Sequence, residues 1–219
     1  MIDFGPVWAE RALLLNGLGV TVALSGVGLA GAATIGVLVG SAGASSVRAL
    51  RMAAIAYVEG VRNIPLLLHI YIWFLGLSAL QLPAFACAAL GLSIYSGAYA
   101  AEIVRGGLLS VSQGQRDAAA ALGFGRWRAW RFVVWPQALR VIGPSLAGLS
   151  SQLIKDSSLA SVIAVGELAY QAASIEADTF RTTEVYAAVT VIYVILVTGI
   201  AGAVSWWADR GKAPELRDV

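Results

Sequence analysis

Residues 153–163 of this 219-residue chain read LIKDSSLASVI, which sets Lys155 beside Asp156 between two apolar stretches. Removing a charge from water costs several kcal/mol unless it is paired or hydrated. The two residues therefore either staple a bend as an internal ion pair or face a wetted path. Asp156, Ser157 and Ser158 are residue types that cap helices, so the spacing predicts one helix ending here and a short apolar one beginning. Three more ionisable side chains sit in apolar runs: Glu59 and Arg62 in one, Glu102 in another. Glu102 stands three residues before Arg105, where a pair along one helix face explains it equally well. His69, the single histidine, lies among Leu66, Leu67, Leu68 and Ile70 and has no second metal ligand nearby. It reads as a packed helix residue.

The elements that must position these residues follow from composition. The chain is 58% hydrophobic and 13% charged, whereas a soluble domain carries about 25% charged residues. Its apolar residues gather in runs long enough to cross roughly 30 Å of hydrocarbon. The reading is an all-α integral membrane protein. Asp3 and Glu10 stand where a cleaved leader would be basic, so the first run is expected to stay. Cys87 is alone, which excludes an intramolecular disulfide and a thiolate metal site.

Five spans are expected, over about residues 13–39, 53–77, 84–104, 137–154 and 185–207. The second contains Pro65, and a further apolar stretch, 159–175, is interrupted at Gly166 and Glu167. That stretch reads as a short re-entrant or interfacial helix. Basic residues near span ends face the cytoplasm. Arg48 and Arg51, then Arg105, Arg116, Arg126, Arg128, Arg131 and Arg140, then Arg210, Lys212 and Arg217 all fall on one side of a five-span chain. The other side holds Asp3, Glu10, Glu167, Glu176, Asp178 and Glu184 against Arg11 and Arg181. The N-terminus is expected outside and the C-terminus in the cytoplasm.

The largest cytoplasmic segment, about residues 110–136, reads as a helix pair. Ser112 and Gln115 have capping-box spacing, RDAAAAL has high helix propensity, and Gly123 suits a C-terminal stop. Arg126, Trp127, Arg128, Trp130 and Arg131 then form an interfacial helix leading to Pro136. The first helix is too polar to enter lipid and too smooth to lie on it. An alanine-faced helix of this kind fits a partner's cleft.

At this loop the sequence resembles the permease subunits of ABC importers. Their pattern of Glu-Ala-Ala, three residues, Gly, nine residues and Ile-x-Leu-Pro appears as Asp117-Ala118-Ala119, Gly123, Val133, Trp135 and Pro136. SGAYAAEIVRGGLLSV, LIKDSSLASVIAVGELAYQA, GVTVALSG and EGVRNIPLLLHIYIWF are similar to the polar amino-acid (histidine/glutamine-type) branch. That branch usually has Arg-Gly-Thr-Pro and then a glutamine, where this chain has Arg62-Asn63-Ile64-Pro65 and His69. The resemblance implies a type I importer fold and a single permease domain over residues 1–219, in a bacterial inner membrane. It implies paired permeases (two copies, or this chain with a homologue), cytoplasmic ATPase subunits and an extracytoplasmic solute-binding protein. Lipid surrounds the chain, and no nucleic-acid partner is expected.

The implied cargo is a polar amino acid or related zwitterion. Arg62 or Lys155 would meet its carboxylate and Asp156 its ammonium, with Ser157, Ser158, Glu59, His69 and Glu102 along the path. The docking residues would be Asp117, Ala118, Ala119, Gly123 and Pro136. No Walker A pattern occurs in the chain, so ATP and Mg²⁺ are expected on the partner ATPase, with no cofactor or metal here. The alternatives are a permease for methionine, phosphate or a quaternary amine, and a secondary transporter.

Overall fold

The computed structural model describes residues 3–210, with side chains to residue 203. Lys212 and Arg217, which entered the charge argument, lie outside the described residues. Helices account for all regular structure among the described residues: α1 (Gly5–Ala9), α2 (Arg11–Gly43), α3 (Arg48–Arg62), α4 (Leu66–Gly76), α5 (Ala84–Ser110), α6 (Gln113–Ala121), α7 (Arg126–Ala129), α8 (Trp135–Asp156), α9 (Leu168–Thr179) and α10 (Thr182–Arg210).

Among the described residues, three helices are long and apolar enough to cross a membrane alone: Arg11–Gly43, Ala84–Ser110 and Thr182–Ala203. A fourth crossing is available where the run Arg126–Ile163 meets Leu168–Thr179 at a 52° bend. The remaining expected span, 53–77, is two pieces, α3 and α4, separated at residues 63–65. Pro65 supplies no N–H and so leaves the Val61 carbonyl without its helical donor. His69 closes that gap, with Nε2 at 3.1 Å from the Val61 oxygen. A carbonyl only accepts, so Nε2 carries the proton.

α2 and α5 lie against each other along most of their length because small residues let the backbones approach. A Cβ on Gly36 would stand 2.5 Å from the Ala100 Cβ, and one on Gly40 2.6 Å from the Ala101 carbonyl oxygen. Around this pair, Leu24, Ile70, Leu92, Leu153 and Ala160 form one core, and Val7, Leu14, Leu168, Ala172 and Val185 a second. A third core, Val104, Leu108, Val134, Ala138 and Ile142, fastens the base of α5 to the base of α8.

Two local expectations need correction. The chain does not break at Asp156–Ser158. α8 runs past Pro144 and passes directly into a 3₁₀ segment, Ser157–Ile163. The hydroxyls of Ser157, Ser158 and Ser161 donate to the carbonyls of Ile154, Lys155 and Ser158 at 2.8, 2.7 and 2.7 Å. They bind carbonyls rather than capping amides, which tightens the helix without ending it. The break comes at residues 164–167, where Ala164 has φ 58°. The capping box is also absent. Ser112 occupies the N-cap of α6 without a side-chain cap bond, and the Gln115 Oε1 accepts from Gln137 Nε2 at 3.4 Å instead.

The interfacial helix is α7 followed by a π turn, Trp130–Val134, that runs into α8. Trp135 N–H donates to the Trp130 carbonyl, and Pro136 has no N–H and needs room for its ring. A widened turn meets both conditions. It also stacks Trp130 on Trp127 and on Trp135, each with centroids 5.2 Å apart.

Candidate functional site

Arg62 closes α3 at the broken span and leans over Tyr99 of α5, with its guanidinium carbon 4.8 Å from the ring centroid. The Tyr99 hydroxyl is 3.2 Å from that of Tyr95, one turn earlier on the same face. Tyr95 in turn meets the His69 ring at 5.7 Å. Arg62, Tyr99, Tyr95 and His69 thus form one polar string from α3 across α5 to α4, and Asp156 lies half-buried at the end of α8. Cations stacked on aromatic faces keep their N–H edge free for an anion.

Lys155 is not part of that string. It lines a cavity of about 440 Å³ with Ser158, Tyr186, Thr190, Tyr193 and Thr198, against α9 and α10. Successive helix residues point about 100° apart, so neighbours in sequence face different spaces. No ion pair joins Lys155 to Asp156 among the described residues. The Asp156 Oδ1 instead accepts from Gln152 Nε2 at 2.8 Å. Ser157 is fully buried with its hydroxyl spent on Ile154. Glu59 sits on an exposed part of α3. Glu102 forms a two-pronged pair with Arg105, at 2.9 and 3.0 Å. That geometry supports the helix-pair reading of Glu102.

Two features were not picked out from the sequence. Tyr95 and Tyr99 have a four-residue spacing that places them on one helix face, which was the available signal. Glu167, counted above as an outward-facing acid, is fully buried. Its carboxylate takes four hydrogen bonds: from the amides of Ala169 and Tyr170 at 2.9 and 2.7 Å, from Tyr193 Oη at 2.9 Å and from Thr21 Oγ1 at 3.5 Å. Thr21 itself accepts from the Leu168 amide at 3.1 Å. This carboxylate caps α9 and ties it to α2 and α10. The available signal was an acid directly before an apolar helix, the N-cap pattern.

In the loop, Asp117, Ala118 and Ala119 lie on α6, and Gly123 has φ 76°. The Phe124 amide donates to the Ala119 carbonyl and the Gly123 amide to that of Ala120, both at 3.0 Å. These are the two bonds of a Schellman stop. Nothing lies within 4 Å of where a Gly123 Cβ would be, so glycine is required by the backbone angle alone. The Ala119 methyl packs inward, while Leu122 is 78% exposed. Arg116 Nη2 donates to the Leu108 carbonyl at 2.7 Å and pins α6 to the base of α5. Pro136 is exposed at the start of α8.

A family model described as "Binding-protein-dependent transport system inner membrane component" matches residues 32–211. The chain belongs to this family. It is 37% identical over 198 residues to the "Glutamine transport system permease protein GlnP" of Escherichia coli (strain K12), covering 89% of this chain and 90% of that one. It is 33% identical over 201 residues to the "Probable glutamine ABC transporter permease protein GlnM" of Bacillus subtilis (strain 168), covering 91% and 93%. A solved structure described as "Crystal structure of an amino acid ABC transporter with histidines" superposes with a TM-score of 0.87 at 31% identity, covering 96% of this chain and 99% of that one. The inner membrane component thus has the type I ABC importer permease fold, and it is a multi-pass membrane protein.

Proposed function

We propose that this chain, as one permease domain over residues 1–219, carries a polar amino acid or related zwitterion inward across the membrane as the non-catalytic subunit of an ATP-driven importer. The single observation that carries the reading is the α6 element. It is a short alanine-faced helix with a full Schellman stop at Gly123, in a chain whose relatives are named as glutamine permeases. Those relatives favour the amino-acid branch over the methionine, phosphate and quaternary-amine branches and over a secondary transporter.

Two cytoplasmic ATPase subunits, holding the ATP and Mg²⁺, would receive α6 from this permease and from its second copy or homologue. An extracytoplasmic binding protein would deliver the solute. The N-terminus lies outside and the C-terminus in the cytoplasm, in line with the one-sided arginines. Cysteines placed singly at residues 3 and 127, in a chain lacking Cys87, test this in intact cells. An impermeant thiol reagent should label only residue 3, and labelling at 127 alone inverts the topology.

The architecture supports a mechanical link. α6 hangs between α5 and the α7–α8 run, and the Val104–Val134–Ile142 core joins their bases. α5 carries Tyr95 and Tyr99, and α8 carries Asp156 at its far end. Pulling the two α6 helices together would therefore shift both the Tyr95–Tyr99 face of α5 and Asp156 on α8. In the bound state Arg62 receives the solute carboxylate and Asp156 its ammonium.

Gly123→Ile tests the docking assignment. A β-branched residue at φ 76° is a backbone outlier, and the open surroundings exclude a clash within the chain. Substrate-stimulated ATP hydrolysis in reconstituted vesicles should collapse while the permease still inserts. Normal coupled transport by Gly123→Ile would sink the assignment.

A further inference from the structure

A cavity of about 560 Å³ lies between the end of α2, the base of α5 and the loop helices α6 and α7. The docking reading uses α6 and Asp117 from its wall and leaves its serines and arginines without a role. Ser41, Ser45 and Ser46 form one side of it, and Arg116 and Arg126 contribute guanidinium groups. The Ser41 hydroxyl is buried and has no hydrogen-bond partner. The Ser45 Oγ accepts from the Val47 amide at 3.1 Å, so its own proton is uncommitted. The bond from Arg116 to the Leu108 carbonyl fixes that guanidinium at the wall and leaves most of its N–H groups unused. The Arg126 guanidinium has no hydrogen bond or ion pair among the described residues. The one carboxylate present, Asp117, accepts from Gln113 Nε2 at 2.9 Å, so two cations face one acid.

Unspent guanidinium and hydroxyl protons around one cavity call for an anion rich in acceptor oxygens. A phosphate meets this with paired oxygens that match the guanidinium fork. Trp130 and Val134 supply an apolar wall. The stacked Trp127, Trp130 and Trp135 are the residue type that settles at headgroup level.

We propose that this cavity binds the phosphate of an anionic phospholipid headgroup, held between Arg116, Arg126 and the Ser41–Ser45 hydroxyls. Gln113, Arg116, Asp117 and Ala120 recur on one face of α6 and form the cavity wall. Ala118 and Ala121, on the other side, are exposed. A bound headgroup thus braces α6 from the membrane side. This bracing role rests on α6 being the cytoplasmic docking helix.

The test uses the full transporter and, separately, the purified permease. Native mass spectrometry of the permease should show phosphatidylglycerol retained over phosphatidylcholine. Arg126→Gln should retain it at least about tenfold more weakly, as for loss of a charge-assisted bond, and Arg126→Lys should restore part. In phosphatidylcholine nanodiscs, adding phosphatidylglycerol should raise substrate-stimulated ATP hydrolysis by the wild type more than by Arg126→Gln combined with Ser41→Val. If inorganic phosphate alone reproduces the gain, the phosphate site stands and its ligand is the free ion. Equal retention of the two lipids by the wild type, or equal retention of phosphatidylglycerol by wild type and Arg126→Gln, overturns the proposal. Failure of the docking reading appears separately, as loss of the ATPase from the permease in every lipid.

Discussion

Two interruptions within expected apolar stretches, at residues 63–65 and 164–167, are finished in opposite ways. At residues 164–167 the gap is closed by a fully buried carboxylate, and Glu167 satisfies donors from α2, α9 and α10 together. At residues 63–65 the gap is closed by two side-chain donors, each to a single carbonyl: His69 to that of Val61 and Asn63 to that of Glu59. Arg62, Asn63 and Pro65 stay exposed there. A break with all its polar groups satisfied internally acts as a clamp, since nothing is left for a solute. A break with exposed polar groups beside a free cation can line a water-filled path. Glu167 thus holds the bundle, and under the proposed function Arg62, stacked on Tyr99, would be the side that meets the solute.

The most damaging way to probe the difference is Glu167→Ala. It removes the acceptor from two amides and two hydroxyls in a dry site. Removing one partner from a buried charged network costs about 3–5 kcal/mol. The variant should lose thermal stability in detergent and yield little folded protein. Glu167→Gln keeps one oxygen for the α9 amides and can donate to the Tyr193 oxygen, so it should lie between. A stable Glu167→Ala that fails only in transport would move Glu167 from the clamp to the path.

Asp156→Asn should show the reverse profile. Its contact in the structure is Gln152 Nε2, which an amide oxygen can still accept. Lys155 is exposed and lines the space beside α10, so no buried cation is stranded by the change. Folding and ATPase docking should survive. Loss of a charge-assisted bond to the solute ammonium, worth about 1.5–3 kcal/mol, should lower the transport rate by roughly 10- to 150-fold, measured as radiolabelled uptake into vesicles. The paired change Lys155→Met with Asp156→Leu separates the cases further. Normal transport by that double variant would remove both residues from the path.

What was legible in the sequence is what short-range backbone chemistry dictates. Gly123 announced a left-handed stop, and Gly166 with Glu167 announced an interruption. Pro65 marked a strained point in the second span, although the sequence did not show that it divides the span in two. Contacts over long separations were hidden. Thr21 meets Glu167 across 146 positions and Tyr193 across 26, and nothing local to Glu167 names either. The divergence of Lys155 from Asp156 was hidden for another reason. Adjacency in the chain suggested a pair, whereas helical rotation turns the two side chains apart, Lys155 toward α10 and Asp156 to Gln152. The serines at 157 and 158 misled because the same hydroxyl that caps an amide also binds a carbonyl one turn back.

The smallest expected effect lies at the lighter break. By the resemblance, His69 stands where a glutamine is usual. Both side chains carry an N–H that can reach the carbonyl freed by Pro65. The Ile64 amide also donates to that carbonyl, at 3.2 Å, so removing the imidazole does not strand it. His69→Ala should therefore cost only about 1 kcal/mol, a fall in Tm of about 2–4 °C. His69→Gln should restore most of the loss. The same pair should order transport, because the angle between α3 and α4 sets where Arg62 meets Tyr99. If His69→Ala destabilises the protein as severely as Glu167→Ala, the two breaks are both clamps. Arg62 would then have to be reassigned from solute binding to holding the fold.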